Sequence, residues 1–367
     1  MAPESQNPRS QNPDVQALIL VGGKGTRLRP LTLSAPKPML PTAGVPFLTH
    51  LIARIREAGV TDIVLGTSYQ AEVFSEYYGD GADLGVRLTY VTEKEALGTG
   101  GGIRNVYDSL TADTVLVFNG DVLGGTDIRE VLDTHRTSGA EVTLHLVQVG
   151  DPRAFGCVPT DGDGRVTAFL EKTQDPPTNQ INAGTYVFRR SVIGEIPTGR
   201  PVSVEREVFP RLLAEGRHIQ GHVDGAYWRD MGTPEDFVRG SADLVRGIAP
   251  SPVLDGERGE SLVKEGAHVA ADAVLVGGTV VGADAQIGPG ARLDGAVIFD
   301  GAIIEAGAAI ERSIVGFGAR VGRGALIRDT VIGDQAHIGN RCELLRGARV
   351  WPGVQIPEAG IRFSTDV

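Results

Sequence analysis

From Val263 onward an aliphatic residue returns at nearly every sixth position: Val263, Val269, Leu275, Val281, Ile287 and Leu293. The series continues through Ile298, Ile304, Ile310, Val315, Val321, Ile327, Ile332, Ile338, Leu344 and Val350, with a step shortened to five after Leu293, Ile310 and Ile327. Steps of six, six and five make a 17-residue coil, visible in "VIFDGAIIEAGAAIERS" and "IVGFGARVGRGALIRDT". A coil with three short flat faces, one inward aliphatic per face and Gly or Ala at the corners is a parallel β-helix of hexapeptide repeats. Such a coil cannot bury its aliphatic face alone, so the pattern demands a stack.

The chain upstream has a different texture. Apolar runs bounded by glycine recur at "ALILVGG", "DIVLGTS", "TVLVFNGD" and "EVTLHLVQV", separated by helix-patterned stretches such as "FLTHLIARIREAG" and "IREVLDTHRTSG". Strands alternating with helices predict βαβ units and a Rossmann-like, mostly parallel α/β sheet. Since 367 residues exceed what one core usually organises, we expect several segments. These are a disordered polar tail over 1–14, an α/β domain over 15–247, a Pro/Gly-rich linker over 248–260 and the β-helix over 261–367. In open sheets of this kind ligands bind beyond the carboxyl ends of the strands, where "GGKGTR" and "NGD" fall.

The net charge of −11 and a pI near 5.2 argue against a general nucleic-acid or anionic-membrane surface. Cys157 and Cys342 are too few for a disulfide framework or a four-ligand zinc site. With no apolar leader at the N-terminus and no membrane-length apolar run, a reduced cytoplasmic setting is expected. Against that acidic balance, Lys24, Arg27, Arg29, Lys37, Arg54 and Arg56 occur with no carboxylate between Val15 and Arg56. Any anion site must therefore be local. Walker A fails because Lys24 is followed by Gly25, and the dinucleotide fingerprint fails because Leu28 stands at its third glycine. What remains is a strand entering a glycine turn. The backbone N–H groups around Gly22, Gly23 and Gly25 can cradle a phosphate chain, with Arg27 and Lys37 near enough to neutralise it.

At this point the chain resembles the sugar-1-phosphate nucleotidyltransferases. The resemblance is carried by "GGKGTRLRPLT" with "PKPML", then "EALGTGGGI", "VFNGDV", "FGCV", "FLEK", "INAGTYVF", "SVEREVFP" and "YWRDMGTPEDF" in order, followed by the hexapeptide repeats. Gly100 and Thr173 depart from the family's usual Ala and Pro. By the same kind of resemblance the β-helix is expected to be left-handed. The stretch "LGTGGG" is similar to the branch that uses GTP and mannose 1-phosphate, so those substrates are implied over other nucleoside triphosphates and hexose 1-phosphates. The implied chemistry is in-line displacement at the α-phosphorus with pyrophosphate leaving. The resemblance further implies Mg2+ held by Asp121 and Asp230, and Arg27 and Lys37 on the triphosphate. It implies Leu20, Gly22, Gly23, Gly25, Thr26, Glu93, Gly98 and Thr99 around the nucleotide, and Gly156, Glu171, Lys172 and Asn182 around the sugar phosphate.

Three other readings stay open on sequence. One changes the substrate, giving a glucose-1-phosphate uridylyl-, adenylyl- or thymidylyltransferase. Another is a regulatory subunit with a decayed site, against which Arg27, Lys37, Asp121, Lys172 and Asp230 all stand. The third makes the β-helix an acyltransferase, for which only His268 and His337 could serve as base. Otherwise the β-helix is expected to assemble a homo-oligomer, a dimer or tetramer, with "LLRGARVWPGVQIP" (Leu344, Leu345, Val350, Trp351 and Val354) as a contact with another subunit or with the catalytic domain. The alternative is that Trp351 plugs the last coil.

Overall fold

The computed structural model describes residues 12, 14–68, 70–254 and 258–361; the expected tail over 1–14 lies almost wholly outside them. By internal contacts the chain divides into two units, 1–23 with 51–228 and 24–50 with 229–367.

The first unit is built on one twisted sheet. Its strands are β1 (Val15–Leu20), β2 (Asp62–Thr67), β3 (Arg87–Thr92), β4 (Thr114–Asn119), β5 (Val142–Gln148), β6 (Gly156–Cys157), β7 (Leu170–Glu171), β8 (Gln180–Arg189) and β9 (Ile219–Asp224). The order is β7-β6-β8-β4-β1-β2-β3, with β5 also paired to β8 and β9 to β5. Neighbours β4-β1-β2-β3 are parallel, as are β5 and β9, whereas β8 runs antiparallel to β4 and β5. The four apolar runs read from sequence are β1, β2, β4 and β5. Strands β1 and β4 lie inside the sheet and are buried almost throughout, which is why they read as unbroken apolar runs rather than alternating ones. Around Phe209 the rings of Phe169 and Tyr186 pack with centroids 5.3 and 5.4 Å away. The helix Ile128–Ser138 starts on the Asp127 side chain, which accepts the Arg129 N–H at 2.9 Å, and stops at Gly139 in a left-handed turn.

The second unit is dominated by the parallel β-helix, whose strands form three sheets of six, six and five, consistent with the left-handed coil expected. Val280, Val297, Ile314 and Val331 stack in register, a 17-residue step each time, and the last step, to Arg349, is 18. The inward ladder from Val281 to Val350 is buried as the six-residue period requires, together with corner alanines such as Ala291, Ala308 and Ala325. Cys342 occupies the next place in that alanine column and is a buried free thiol. Val263 departs from the ladder: it is 44% exposed in the first strand of its sheet, where a coil stacks on one side only. Leu344 and Val350 are core residues and not surface ones, while Trp351 is 47% exposed and does not plug the last coil. His268 and His337 are exposed, on strands rather than at corners. Four coils separate them on one sheet, roughly 19 Å at the usual strand spacing, so they form no joint site. No helix among the described residues is long and apolar enough to cross a membrane.

A buried histidine makes this unit sensitive to acid. His50 Nε2 lies 2.9 Å from the Thr42 carbonyl, which only accepts, so Nε2 carries the proton and Nδ1, 2.6 Å away, accepts from the Ser251 hydroxyl. Burial lowers its pKa to about 4, helped by the Arg258 charge and opposed by the Thr42 hydrogen bond. The unfolded chain then binds the proton first, so the stability held above pH 6.5 is lost as pH falls through 6.5 toward 4. The loss from this group is about 2 kcal/mol by pH 5. Urea unfolding of parent and His50→Gln at pH 7.5 and 5 checks this: the gap between them should narrow by that amount, and a constant gap contradicts it.

Candidate active site

In the first unit the nucleotide-side residues gather where β1, β2 and β4 end. Past Leu20, the Val21 N–H donates to the Gly66 carbonyl at 3.0 Å, and the Gly120 N–H donates to the Leu20 carbonyl at 2.9 Å. Ser68 donates its hydroxyl to the Gly22 carbonyl. Glu93 lies beside the same glycine, one carboxylate oxygen 3.0 Å from where a Cβ would stand, and space is open around Gly23. Burial pushes the Glu93 carboxyl pKa up, while the hydrogen bond from the Leu97 N–H (3.4 Å) pulls it back.

The glycine run "GTGGG" opens the helix Gly98–Asn105, and packing explains its composition. Gly98 has φ +71°, and a Cβ there would stand 2.7 Å from the Val202 carbonyl. That same carbonyl accepts the N–H groups of Gly100 and Gly101 at 2.8 and 3.2 Å. Thr99 donates to Glu205 at 2.7 Å and accepts the Val204 N–H at 2.9 Å, so its hydroxyl braces this helix against "SVEREV".

Gly156, Glu171, Lys172 and Asn182 come together on β6, β7 and β8. Gly156 pairs with Glu171, and Cys157 pairs with Ile181, one residue before Asn182. Lys172 follows β7 in a left-handed backbone conformation, φ +51°, with its N–H on the Phe155 carbonyl at 3.1 Å. A long side chain held there is a strained arrangement of the kind found at functional sites. Between Asn182 and Tyr186 the pairing of β8 with β5 shifts register, and such bulges re-aim side chains. Asn182 accepts the Gly184 N–H at 3.1 Å and donates to the Tyr186 hydroxyl at 2.8 Å. Tyr186 is fully buried, which pushes its pKa well up. Asp121 lies half-buried, two residues beyond the end of β4.

The second unit holds Arg27 and Lys37, whereas Arg54 and Arg56 lie in the first, donating to the Thr126 and Leu84 carbonyls. Gly25, φ +56°, starts the turn Thr26–Leu28, and a Cβ on it would stand 2.9 Å from the Thr32 methyl and 3.1 Å from Lys37. The Thr32 hydroxyl closes the loop on the Gly25 carbonyl at 2.9 Å. Asp230 ends the short strand Trp228–Asp230, with Arg27 Nη2 3.9 Å from one carboxylate oxygen and Lys37 Nζ 3.9 Å from the other. Lys37 keeps only 8% of its side chain exposed and Arg27 keeps 64%. A buried ammonium demands an anion, which Asp230 supplies to Lys37, whereas the Arg27 pair is solvated and weak. Asp121 and Asp230 fall in different units.

Reading the sequence missed Ser68 and Asn119. Asn119 hydrogen-bonds Tyr186, and its side-chain amide lies 2.9 Å from where a Cβ on Gly184 would stand. Both sit at or just past a strand's carboxyl end, the one signal that could have found them.

Known proteins resemble this chain over most of its length. Residues 16–247 match the Nucleotidyl transferase family model and residues 258–362 match the GMPPB C-terminal domain. Mannose-1-phosphate guanylyltransferase of Mycobacterium tuberculosis (strain ATCC 25618 / H37Rv) is 70% identical over 354 residues, 96% of this chain and 99% of the relative. Mannose-1-phosphate guanylyltransferase catalytic subunit beta of Drosophila pseudoobscura pseudoobscura is 40% identical over 61% of each chain. Among solved structures, HddC from Yersinia pseudotuberculosis complexed with GMP-PN is similar at 29% identity and a TM-score of 0.55, over 62% of this chain and 99% of that one. The chain belongs to the nucleotidyl transferase family, with the C-terminal domain of its GMPPB branch.

Proposed function

We infer that the protein is a mannose-1-phosphate guanylyltransferase, joining GTP and mannose 1-phosphate to GDP-mannose and pyrophosphate. The observation that carries this is the 70% identity to an enzyme of that name along nearly the whole of both chains. We assign 15–247 to the chemistry, 248–260 to a linker and 261–367 to the β-helix, although by internal contacts 24–50 groups with 229–367 and not with the rest of 15–247. A phosphate oxygen of the sugar attacks the α-phosphorus, the α–β bridging P–O bond breaks, and pyrophosphate carries away the electron pair. Two anions must meet, so the protein's task is alignment and charge neutralisation. Arg27 and Lys37 hold the triphosphate and counter the charge growing on pyrophosphate, with Thr26 and the backbone of Gly22, Gly23 and Gly25 along the phosphate chain. Lys172 holds the sugar phosphate, and Glu171, Asn182 and the backbone at Gly156 hold its hydroxyls. Glu93, beside Leu20, Gly98 and Thr99, offers the acceptor that the N1–H and amino group of guanine require.

Family membership implies a divalent cation, and the carboxylates Asp121 and Asp230 fit one. Their oxygens are hard donors of the kind Mg2+ prefers, an ion that usually takes only one or two protein carboxylates. When bound it supplies charge stabilisation to the reacting phosphates. We place the enzyme in the cytoplasm and expect it to self-associate through the exposed Trp351 and Val354; sedimentation of the full chain reads that directly. Pyrophosphate release from GTP that requires mannose 1-phosphate tests the function, and release indifferent to the sugar contradicts it.

A further inference from the structure

One cation breaks an aliphatic column of the β-helix. Along the first of its three sheets, the residues beside the inward ladder stack as Val280, Val297, Ile314 and Val331, each no more than 3% exposed. Alternation along a strand points them away from the core, and the helix Pro234–Arg246 packs against this sheet. The next residue in register is Arg349. Its guanidinium donates from Nη1 to the carbonyl of Arg27, at 2.7 Å, and to that of Arg29. One coil earlier Asp334 accepts the Ser34 hydroxyl on one carboxylate oxygen and the Phe317 N–H, at 2.9 Å, on the other. The segment from Arg27 to Ser34 is thus tied to the β-helix at both of its ends.

We propose that Arg349 is a positioning residue for the reaction: it holds the turn that carries Arg27, and so makes the last coils of the β-helix part of the catalytic apparatus. The inference rests on the reading of Arg27 given above. Two carbonyl oxygens converging on one point repel each other, and a guanidinium between them replaces that repulsion with charge-assisted hydrogen bonds. The Arg27 backbone is anchored while its side chain stays solvated and free to meet phosphate. Misplacing a reacting group by about 1 Å can cost about a hundredfold in rate.

The test is a double-mutant cycle on the full-length enzyme. Arg349→Met keeps the aliphatic stem and should lower kcat by about 10- to 100-fold, with KM for mannose 1-phosphate within about twofold of the parent. Arg349→Lys should recover part of the loss. In an Arg27→Ala background Arg349→Met should cost less than about threefold more, because its effect passes through Arg27. Amide exchange over residues 24–34 should quicken in Arg349→Met, a readout that needs no turnover. Arg349→Met with parent kcat and parent exchange, beside an impaired Arg27→Ala, overturns this proposal alone. Full multiplication of the two losses does the same. Parent turnover in Arg27→Ala removes the reading of Arg27 and Arg349's role with it.

Discussion

Asp121→Asn should lose roughly three orders of magnitude in kcat, corresponding to about 4 kcal/mol of transition-state stabilisation, while the fold survives. Asp121 lies just past the end of β4, outside the buried run Val115–Phe118, so the substitution leaves that core run unchanged. Asn keeps the shape and removes the negative oxygen that a hard divalent cation prefers. The variant should also need a much higher Mg2+ concentration for half-maximal rate. Near-parent turnover by folded, metal-saturated Asp121→Asn contradicts the role given to this carboxylate.

Arg27→Ala and Lys172→Ala should fail in different ways. Arg27 lies in the Thr26–Leu28 turn, Lys172 beside the Gly156–Glu171 pair, and the proposal assigns them to different reactants. Charge stabilisation on a leaving group matters most in the transition state, so Arg27→Ala should lower kcat by about a hundredfold with little change in KM for mannose 1-phosphate. Lys172→Ala should chiefly raise that KM, by about tenfold or more, because its partner is an anion already present in the ground state. Initial-rate kinetics with each substrate varied in turn checks both. An effect of Lys172→Ala confined to GTP contradicts the assignment.

The β-helix was legible residue by residue because each coil solves the same packing problem, so one aliphatic per face repeats far beyond chance. The strands β1 and β4 were legible for a related reason, since burial on both faces leaves a near-continuous apolar run. The glycines of "LGTGGG" were legible as a landmark, but not as the surface that lets Gly98 and Gly100 approach Val202, because the partner lies about a hundred residues downstream. Arg349 was invisible to the six-residue period. That period reports what faces the core, and Arg349 matters for what it meets on the outside. Ser68 and Asn119 carry no periodic or charge signal at all, and only their places at strand ends mark them.

The central claim is guanylyl transfer to mannose 1-phosphate. An initial-rate panel of GTP, ATP, UTP, CTP and dTTP against mannose, glucose and N-acetylglucosamine 1-phosphates, with Mg2+ present, tests it most directly. The account predicts that GTP with mannose 1-phosphate has the highest kcat/KM by at least about tenfold, a margin that hydrogen-bond readout of the base readily supplies. A higher kcat/KM for UTP, ATP, CTP or dTTP, or for glucose 1-phosphate, would contradict it.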